Sequence, residues 1–250
     1  MDDLKRYEEL VKTVEYHNDR YYNQDDPEIS DYEYDMMMKE LKKIEKDHPE
    51  FVTPNSPTQH VGGSAKREAG VLVRHRVPML SLQDVFSKEE VQDFVKSMQE
   101  TLVDPVFVVE YKIDGLSMAL RYENGLLTTA ITRGDGIIQG EDVTVNAKVI
   151  KDVKNKLKEP IEYLEVRGEV YMTNEAFDKV NEIQELNNKK TFANPRNCAA
   201  GTLRQLDSRI TKQRNLSMFI FNIQDIRGKE ITSHSQGYEY LKIQGMKVID

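Results

Sequence analysis

The tetrapeptide Lys112-Ile113-Asp114-Gly115 is the part of this sequence best suited to covalent chemistry. It overlaps the end of the apolar run 106–113, which we expect to form a buried strand. Partial desolvation there would disfavour the ammonium form of Lys112 and leave a nucleophilic amine. Asp114 could orient that amine, and Gly115 would let the backbone approach a ligand closely. Taken alone, however, the tetrapeptide favours a surface lysine in a β-turn, since such a match arises by chance in roughly a few per cent of chains this long.

Other charged residues are placed where they could share a site with Lys112. Glu110 lies two residues before the lysine, on the same face of the expected strand. Arg133–Gly136 ends the partner strand of a predicted hairpin. Along a later strand, three charged side chains alternate on one face: Glu165, Arg167 and Glu169. This pattern is either the solvent face of an antiparallel sheet or the lining of a nucleotide cleft, with carboxylates for a metal ion and arginines for phosphates.

The elements that must position these residues begin with two predicted helices. Apolar residues recur at helical spacing over 3–22, and Asp25-Asp26-Pro27 breaks that helix. Ser30 begins a second helix, Glu33 completes a capping box with it, and His48-Pro49 ends the helix.

A boundary between two domains is expected after these helices. The stretch 53–70 is rich in turn residues, so we divide the chain into a helical domain of residues 1–68 and a larger one of residues 69–250.

The two predicted domains also differ in the charge of particular segments. Residues 1–50 hold eight Lys and Arg against sixteen Asp and Glu, whereas residues 186–215 hold seven against one. An acidic helical face is usually just solvated, but a basic stretch in an acidic chain indicates a surface that faces phosphates.

The second part of the chain mixes strand and helix signals. Asn124-Gly125 separates two strand-like runs and predicts a hairpin, because both residues tolerate positive φ. Ser87 with Glu90 predicts a helix through Met98. Further strands are predicted at 106–113, 164–172 and 216–225, and further helices from Thr173 or Asn174 to Leu186 and over 194–206. Hairpin-joined strands with separate helices predict an α+β fold of antiparallel sheets and flanking helices.

Composition excludes several classes of protein. The formal net charge of −8 argues against a self-sufficient nucleic-acid binder, which is normally basic. No apolar run is long enough for a membrane span, and the charged N-terminus does not resemble a secretion signal. The single cysteine, Cys198, excludes a disulfide framework and a cysteine-based zinc site, and is expected to be a small buried residue.

Several motifs, taken in their order and spacing, identify a family. They are YYNQDDPEISDYEYD, SPTQHVGG, HRVPMLSLQDVF, VEYKIDGLSMAL, TRGDGIIQGEDVT, EVRGEVYM and FANPRNCAAGTLRQLD. Over essentially its whole length the chain resembles the N-terminal adenylation region of bacterial NAD-dependent DNA ligases. The K-x-D-G motif alone is shared with ATP-dependent ligases and capping enzymes, whereas the N-terminal D-x-x-Y-D module is characteristic of the NAD-dependent class.

The resemblance implies roles for residues around the tetrapeptide. Lys112 would be the catalytic nucleophile that takes AMP, and Asp114 would act with Glu169 at the ribose and the metal-bound phosphates. Glu110 would recognise adenine, and Arg133 would contact the nucleotide. Two further residues would belong to the NAD pocket, which His75 would help to shape: Ser81 and Leu82.

The resemblance also implies two binding surfaces elsewhere. The helical domain would bind the nicotinamide mononucleotide half of NAD through five residues: Tyr21, Tyr22, Asp31, Tyr34 and Asp35. Many relatives have histidine in place of Tyr22, so one hydrogen bond to the mononucleotide is in question. In the basic stretch, Arg196 and Arg204 would meet DNA phosphates or the adenylate.

The implied activity is nick sealing in three steps, with NAD and Mg²⁺ as cofactors and nicked double-stranded DNA as the partner of the full-length enzyme. The implied setting is the bacterial cytoplasm, without membrane contact.

The family's D-G-V-V-I-K segment is absent, so we expect a C-terminally truncated, monomeric fragment that lacks phosphate-contacting lysines and the DNA-binding domains. The alternatives are another covalent nucleotidyltransferase, such as an ATP-dependent ligase or capping enzyme, and a non-catalytic module that binds NAD or adenylate.

Overall fold

The computed structural model describes residues 2–20, 28–53, 56–59 and 71–249. Its helices are α1 Asp2–Asn18, α2 Asp31–Asp47, α3 Lys88–Thr101, α4 Thr144–Ala147, α5 Asn174–Leu186, α6 Pro195–Leu203, α7 Ser208–Gln213 and α8 His234–Ile243, with a 3-10 turn at Pro49–Phe51. Its strands are β1 Leu72–Arg74, β2 Leu116–Glu123, β3 Leu126–Thr132, β4 Gln139–Glu141, β5 Tyr163–Tyr171 and β6 Ser217–Arg227. The predicted break at Asp25-Asp26-Pro27 and most of the stretch 53–70 lie outside the described residues.

α1 and α2 form a helical pair with a small core of its own. Three buried side chains make up that core: Tyr7, Leu10 and Leu41. The predicted capping box is present, since the Glu33 N–H donates to Ser30 Oγ at 3.2 Å and the Ser30 N–H donates to Glu33 Oε2 at 2.8 Å. α2 ends at Asp47, as expected from His48-Pro49. α1 is α-helical to Asn18 and is followed by a π-helical turn at residues 19–20, and its predicted end at residue 22 lies outside the described residues.

A four-stranded antiparallel sheet with the order β3-β2-β5-β6 organises the rest of the described chain. The predicted hairpin joins β2 to β3, and its turn residues Asn124 and Gly125 have φ angles of 51° and 77°. One face of the sheet, which carries Leu120, Leu164 and Val166, is buried with side chains from α4, α5, α6 and α8. This arrangement confirms the predicted α+β fold of antiparallel sheets with flanking helices, preceded by a helical part.

The caps of the later helices follow the sequence closely. Ser87 caps α3, which runs three residues past the predicted end at Met98. Thr173 caps α5, and Asn194 with Pro195 begins α6. Cys198 of α6 is fully buried, as expected, and burial raises the pKa of its thiol to about 11. None of the described helices is long and apolar enough to cross a membrane.

Four short elements and one longer helix were not predicted. Among the described strands, β1 and β4 have three residues each and form a two-stranded sheet of their own. α4 and α7 have four and six residues, so each of these four elements is too short for a hydrophobic pattern to repeat several times. α8 is ten residues long, and its signal was present: Ser233 caps it and accepts from the Gln236 N–H at 3.2 Å.

The prediction of a buried strand at 106–113 is wrong. No strand of the described chain pairs with this run, and its side chains face solvent: Val106 is 91% exposed and Val109 is 95% exposed. Lys112 is exposed as well, so the expected partial desolvation of its amine is not present. An apolar run indicates strand propensity, but a strand forms only where a neighbouring strand supplies backbone partners.

Candidate functional site

The residues around Lys112 enclose a cavity of about 350 Å³ on the polar side of the sheet. It is lined by Leu80, Ser81, Leu82, Asp84, Glu110, Tyr111, Lys112, Ile113, Ser117, Arg133, Arg167, Glu169, Arg196, Phe219, Phe221 and Ile249. Seven of the residues expected in a nucleotide site are thus brought together: Ser81, Leu82, Glu110, Lys112, Arg133, Glu169 and Arg196. They come from separate parts of the sequence: Glu169 lies on β5 and Arg196 on α6, whereas the other five lie in segments between the named elements.

Glu169 is a partly buried carboxylate that lines this cavity. It faces Ser117 across the β2–β5 pair, and the Ser117 hydroxyl donates to Glu169 Oε2 at 2.9 Å. Burial raises the pKa of Glu169 to about 7, against the opposing effects of the Ser117 hydrogen bond and of the charges on Arg167 and Lys112. A carboxyl that titrates near neutral pH beside a lysine is typical of functional sites.

Three arginines surround the same cavity and give it a positive character. Arg167 donates through Nη1 to the Leu80 carbonyl at 2.9 Å and through Nη2 to Ser117 Oγ at 3.2 Å. Burial and the nearby charge of Arg133 lower the pKa of Arg167. Burial also lowers the pKa of Arg196 to about 10, and Arg196 donates through Nε to the Gly115 carbonyl at 3.0 Å.

Arg133 closes the group of arginines from the hairpin side. Its Nη2 donates to the Ser81 hydroxyl, and its backbone carbonyl accepts from His75 Nε2 at 2.8 Å. His75 therefore lies behind Arg133 and outside the lining of the cavity, and its expected part in shaping an NAD pocket stays a prediction. The Nε atoms of Arg133 and Arg167 are buried and have no hydrogen-bond partner within the described part of the chain. Donors held in this way around one cavity suit an anionic ligand such as a phosphate.

Aromatic rings form the other wall of the cavity. Phe219 and Phe221 alternate along β6 and so present both rings on the same face. The guanidinium of Arg167 lies 5.4 Å from the ring centre of Phe221, and the Lys247 ammonium lies 4.2 Å from that of Phe219. A flat apolar wall beside cationic groups is suited to a ligand with a planar base and phosphates.

The charged face predicted on β5 serves two purposes. Arg167 and Glu169 line the cavity, whereas Glu165 is fully buried and accepts from Arg121 Nε at 2.8 Å. The Tyr163 hydroxyl donates to the same carboxylate at 2.5 Å. Glu165 and Arg121 face each other in the β2–β5 register, so this part of the face is a structural ion pair and belongs to neither predicted alternative.

Two of the expected residues lie at or beyond the edge of the cavity. The Asp114 side chain is 68% exposed and lies 3.6 Å from Arg196 Nε, at the rim and outside the lining. Arg204 is at the end of α6, where its Nε lies 3.7 Å from Glu141 Oε2, and it does not line the cavity.

Gly115 is required where two strands approach each other. A Cβ on Gly115 would lie 2.1 Å from the Val170 carbonyl oxygen and 3.2 Å from Glu169 Cγ. The close approach of the chain at Gly115 to β5, next to Glu169, is therefore one reason for glycine at this position, and the expected close approach to a ligand stays a prediction.

Three of the residues expected to bind a mononucleotide belong to α2: Asp31, Tyr34 and Asp35. Tyr34 donates from its hydroxyl to Asn18 Oδ1 at 2.6 Å, and Asp35 lines a second cavity of about 540 Å³ between α2 and α3. Asp84 lines both cavities, so the two adjoin. Tyr21 and Tyr22 lie outside the described residues, as does the side chain of Asp31.

Several cavity residues were missed from the sequence. Phe219 and Phe221 gave a usable signal, since they alternate in a predicted strand. Arg167 belongs to the predicted charged face, whose arginines were one of two alternatives for phosphate contacts, but the family resemblance assigned it no individual role. Ser117 gave no signal, because only the pairing of β2 with β5 places it opposite Glu169. The described residues contain no group of three or more His, Cys, Asp or Glu side chains that could hold a metal ion by themselves.

Comparison with known proteins gives consistent results over both parts of the chain. Residues 70–250 match the model of the NAD-dependent DNA ligase adenylation domain, and residues 1–62 match that of the DNA ligase-like, N-terminal NAD+-binding domain. A DNA ligase of Clostridium kluyveri is 55% identical over 248 residues, which are 99% of this chain and 37% of the relative. DNA ligases of Caldicellulosiruptor saccharolyticus and Clostridioides difficile are 53% and 48% identical, over 98% and 96% of this chain and 36% and 35% of their own lengths. The chain thus spans little more than a third of these relatives.

Proposed function

The chain belongs to the NAD-dependent DNA ligase family, and from that premise we propose that it is the region in which Lys112 takes AMP from NAD. The observation that supports this most is the cavity that joins Lys112 to Glu169 and to three arginines beside an aromatic wall. A nucleotide has a planar base and anionic phosphates, and the cavity offers a surface for each.

The proposed step is a substitution at the adenylyl phosphorus. The neutral amine of Lys112 attacks, a nitrogen–phosphorus bond forms, the bond to nicotinamide mononucleotide breaks, and the amine loses a proton to solvent or a base. Arg133, Arg167 and Arg196 would hold the phosphates in line with the amine and stabilise negative charge that develops during the transfer. Their guanidinium groups are already held by Ser81, Leu80 and Gly115.

We assign Mg²⁺ to the rim of the same cavity. Mg²⁺ is commonly held by one or two carboxylates together with substrate phosphates and waters, so it needs no dedicated cage of side chains. Glu169 and Asp114 are the carboxylates beside Lys112 that fit this pattern, and the charge of Asp114 contributes to the raised pKa of Glu169. The ion would supply positive charge to the phosphate oxygens.

The helical residues 1–68 would hold the leaving mononucleotide, while residues 69–250 would form the nucleotidyltransferase core. Tyr21, Tyr22, Asp31, Tyr34 and Asp35 are the proposed contacts. Two observations support this arrangement: the cavity lined by Asp35 adjoins that of Lys112, and the family matches divide near the same point, at residues 62 and 70.

In the full-length enzyme, AMP would pass from Lys112 to the 5′-phosphate of nicked double-stranded DNA, and the 3′-hydroxyl would then seal the nick. Arg196, at the cavity, and Arg204, further along the basic stretch, are the proposed contacts to DNA phosphates or the adenylate. We expect this chain to be monomeric and its parent enzyme to act in the bacterial cytoplasm.

Intact-mass analysis after incubation with NAD and Mg²⁺ tests the proposal. The chain and the full-length enzyme that contains it should each gain one AMP, and Lys112→Ala should abolish the gain. Lys189→Ala, in the exposed turn after α5, is the matched control and should react normally. A Lys112→Ala protein that still gains AMP would contradict the assignment.

A preference for ATP as the AMP donor would indicate another nucleotidyltransferase, and saturable NAD binding without mass gain would indicate a binding module.

A further inference from the structure

His234 contacts the cavity residue Glu110 from outside the cavity. His234 is the first residue of α8, and its Nε2 lies 2.8 Å from Glu110 Oε1. The two side chains are 38% and 26% exposed, so the contact is partly shielded from solvent. The residues are far apart in sequence, and the fold alone brings them together.

The two partners differ in how firmly they are held. α8 is capped by Ser233, and the Tyr238 hydroxyl donates to the Phe221 carbonyl of β6 at 3.2 Å. The ring of Tyr238 lies against that of His234, with the ring centres 4.3 Å apart. Glu110, by contrast, lies in the run 106–113, which no strand of the described chain pairs with. The hydrogen bond from His234 therefore ties a carboxylate on an unpaired segment to a packed helix.

The chemistry of the two side chains decides which of them donates the hydrogen bond. An ionised carboxylate only accepts hydrogen bonds, so His234 donates through Nε2–H. That bond engages Oε1 of Glu110 and orients the carboxylate, while the side chain still lines the cavity. A carboxylate held in this way can accept from an amino group of a bound base, but it would repel the oxo oxygen of a base that lacks the amine.

We propose that His234 is a positioning residue that holds Glu110 so that its carboxylate selects a purine carrying a 6-amino group over one carrying a 6-oxo group. The inference rests on the proposed function, because it takes the ligand of the cavity to be an adenylate. His234 does not contact the ligand and acts only through Glu110.

The test compares the affinities of the whole chain for AMP and for IMP, measured by isothermal titration calorimetry. Wild type should prefer AMP, and His234→Ala should reduce that preference by about tenfold, the effect of losing one hydrogen bond to a charged group. His234→Gln should restore the preference, because its amide N–H reaches about as far as Nε2. His234→Asn should not restore it, because its amide is placed like Nδ1. Ser235→Ala, the next residue of α8, is the control and should behave as wild type.

The possible results separate this inference from the proposed function. An unchanged AMP preference in His234→Ala, in a preparation whose wild type gains AMP from NAD, would overturn the positioning role and leave the proposed function standing. Equal loss in the Gln and Ala variants would also overturn it. A variant that merely folds poorly would bind both nucleotides less well without changing their ratio. A wild type with no preference for AMP would contradict both proposals.

Discussion

Gly115 shows how one residue allows two strands to approach each other beside the cavity carboxylate Glu169. Any side chain at this position would collide with the backbone of β5 at Val170, and next to it with Glu169. The sequence identified Gly115 through its place in the tetrapeptide, but the reason for glycine depends on strand pairing, which local sequence does not contain. The same holds for Ser117, whose partner Glu169 lies on another strand.

Gly115→Ala should therefore damage both stability and reaction. We expect the free energy of unfolding to fall by about 3 kcal/mol, the upper range for overpacking, because the atom it meets belongs to backbone. Formation of lysyl-AMP should fall as well. Urea denaturation and intact-mass analysis measure the two effects. Gly237→Ala is the control, because its Cβ would meet side chains and no backbone, the nearest being the flexible end of Ile223 at 3.3 Å and Ile231 Cγ2 at 3.6 Å. Equal stability losses in the two variants would contradict this account.

Glu169 should make stability depend on pH. Its pKa is raised from an ordinary 4.5 to about 7, so the folded protein holds the proton more tightly than the unfolded chain. Its contribution is therefore complete below about pH 4.5 and is lost as the pH rises to about 7. Glu169→Gln cannot ionise, so its stability relative to wild type should rise by about 3 kcal/mol over that interval.

Urea denaturation of wild type and Glu169→Gln at a series of pH values measures this difference. Glu182→Gln, at an exposed position of α5, is the matched control and should give a curve parallel to wild type. A constant difference between Glu169→Gln and wild type from pH 4.5 to 7 would show that the carboxyl is not perturbed in the folded chain.

At the scale of elements, helix starts and the hairpin turn were predictable because their signals are local. The capping box of α2, the caps of α3 and α5, and the Asn124-Gly125 turn all depend on residues within four positions of one another. The strand prediction at 106–113 failed because a strand depends on a partner elsewhere in the chain. Three-residue strands such as β1 were not predicted, because an alternating pattern cannot be recognised over so few residues.

Ser30→Ala tests the importance of the capping box at α2. The change removes the acceptor for the Glu33 N–H and should lower the local stability of α2 by about 1 kcal/mol. Hydrogen exchange of the α2 amides measures this opening free energy. Because Tyr34 and Asp35 lie in the first two turns, NAD should also bind less tightly. Ser30→Thr retains the hydroxyl and should protect α2 nearly as well as serine; equal exchange in the Ala and Thr variants would exclude a capping effect.

For the whole molecule, the net charge of −8 is an average over two unlike regions. Residues 1–50 account for all of it, whereas the segment 186–215 is basic and contains Arg196, which reaches the cavity. The acidic average had argued against nucleic acid, while the motifs indicated a DNA ligase. The two indications do not conflict, because the acidic charge lies in the helical part and the basic stretch lies in the core. The net charge of the whole chain does not describe the charge of any one surface.

Deletion of residues 1–68 should separate two of the proposed reactions. Without the helical part the protein should no longer form lysyl-AMP from NAD, because nothing would hold the leaving mononucleotide in line. In the full-length enzyme, AMP already on Lys112 should still transfer to nicked DNA. Gel assays of both reactions with the deletion variant and wild type give the comparison. Normal lysyl-AMP formation from NAD after the deletion would show that the helical part does not bind the leaving group.

The exposed run Val106–Val109 should govern the colloidal behaviour of this chain. The side chains of this run are apolar and exposed, and its backbone pairs with no strand of the described chain. It therefore resembles an open sheet edge, to which the same segment of another copy can add. The chain, which we expect to be monomeric when dilute, should therefore associate at high protein concentration, where the hydrodynamic radius measured by light scattering should grow. Val109→Lys should suppress this growth without loss of folded structure, since the native side chain is 95% exposed. The segment that carries Glu110 and Lys112 to the cavity would therefore also lower the solubility of the chain.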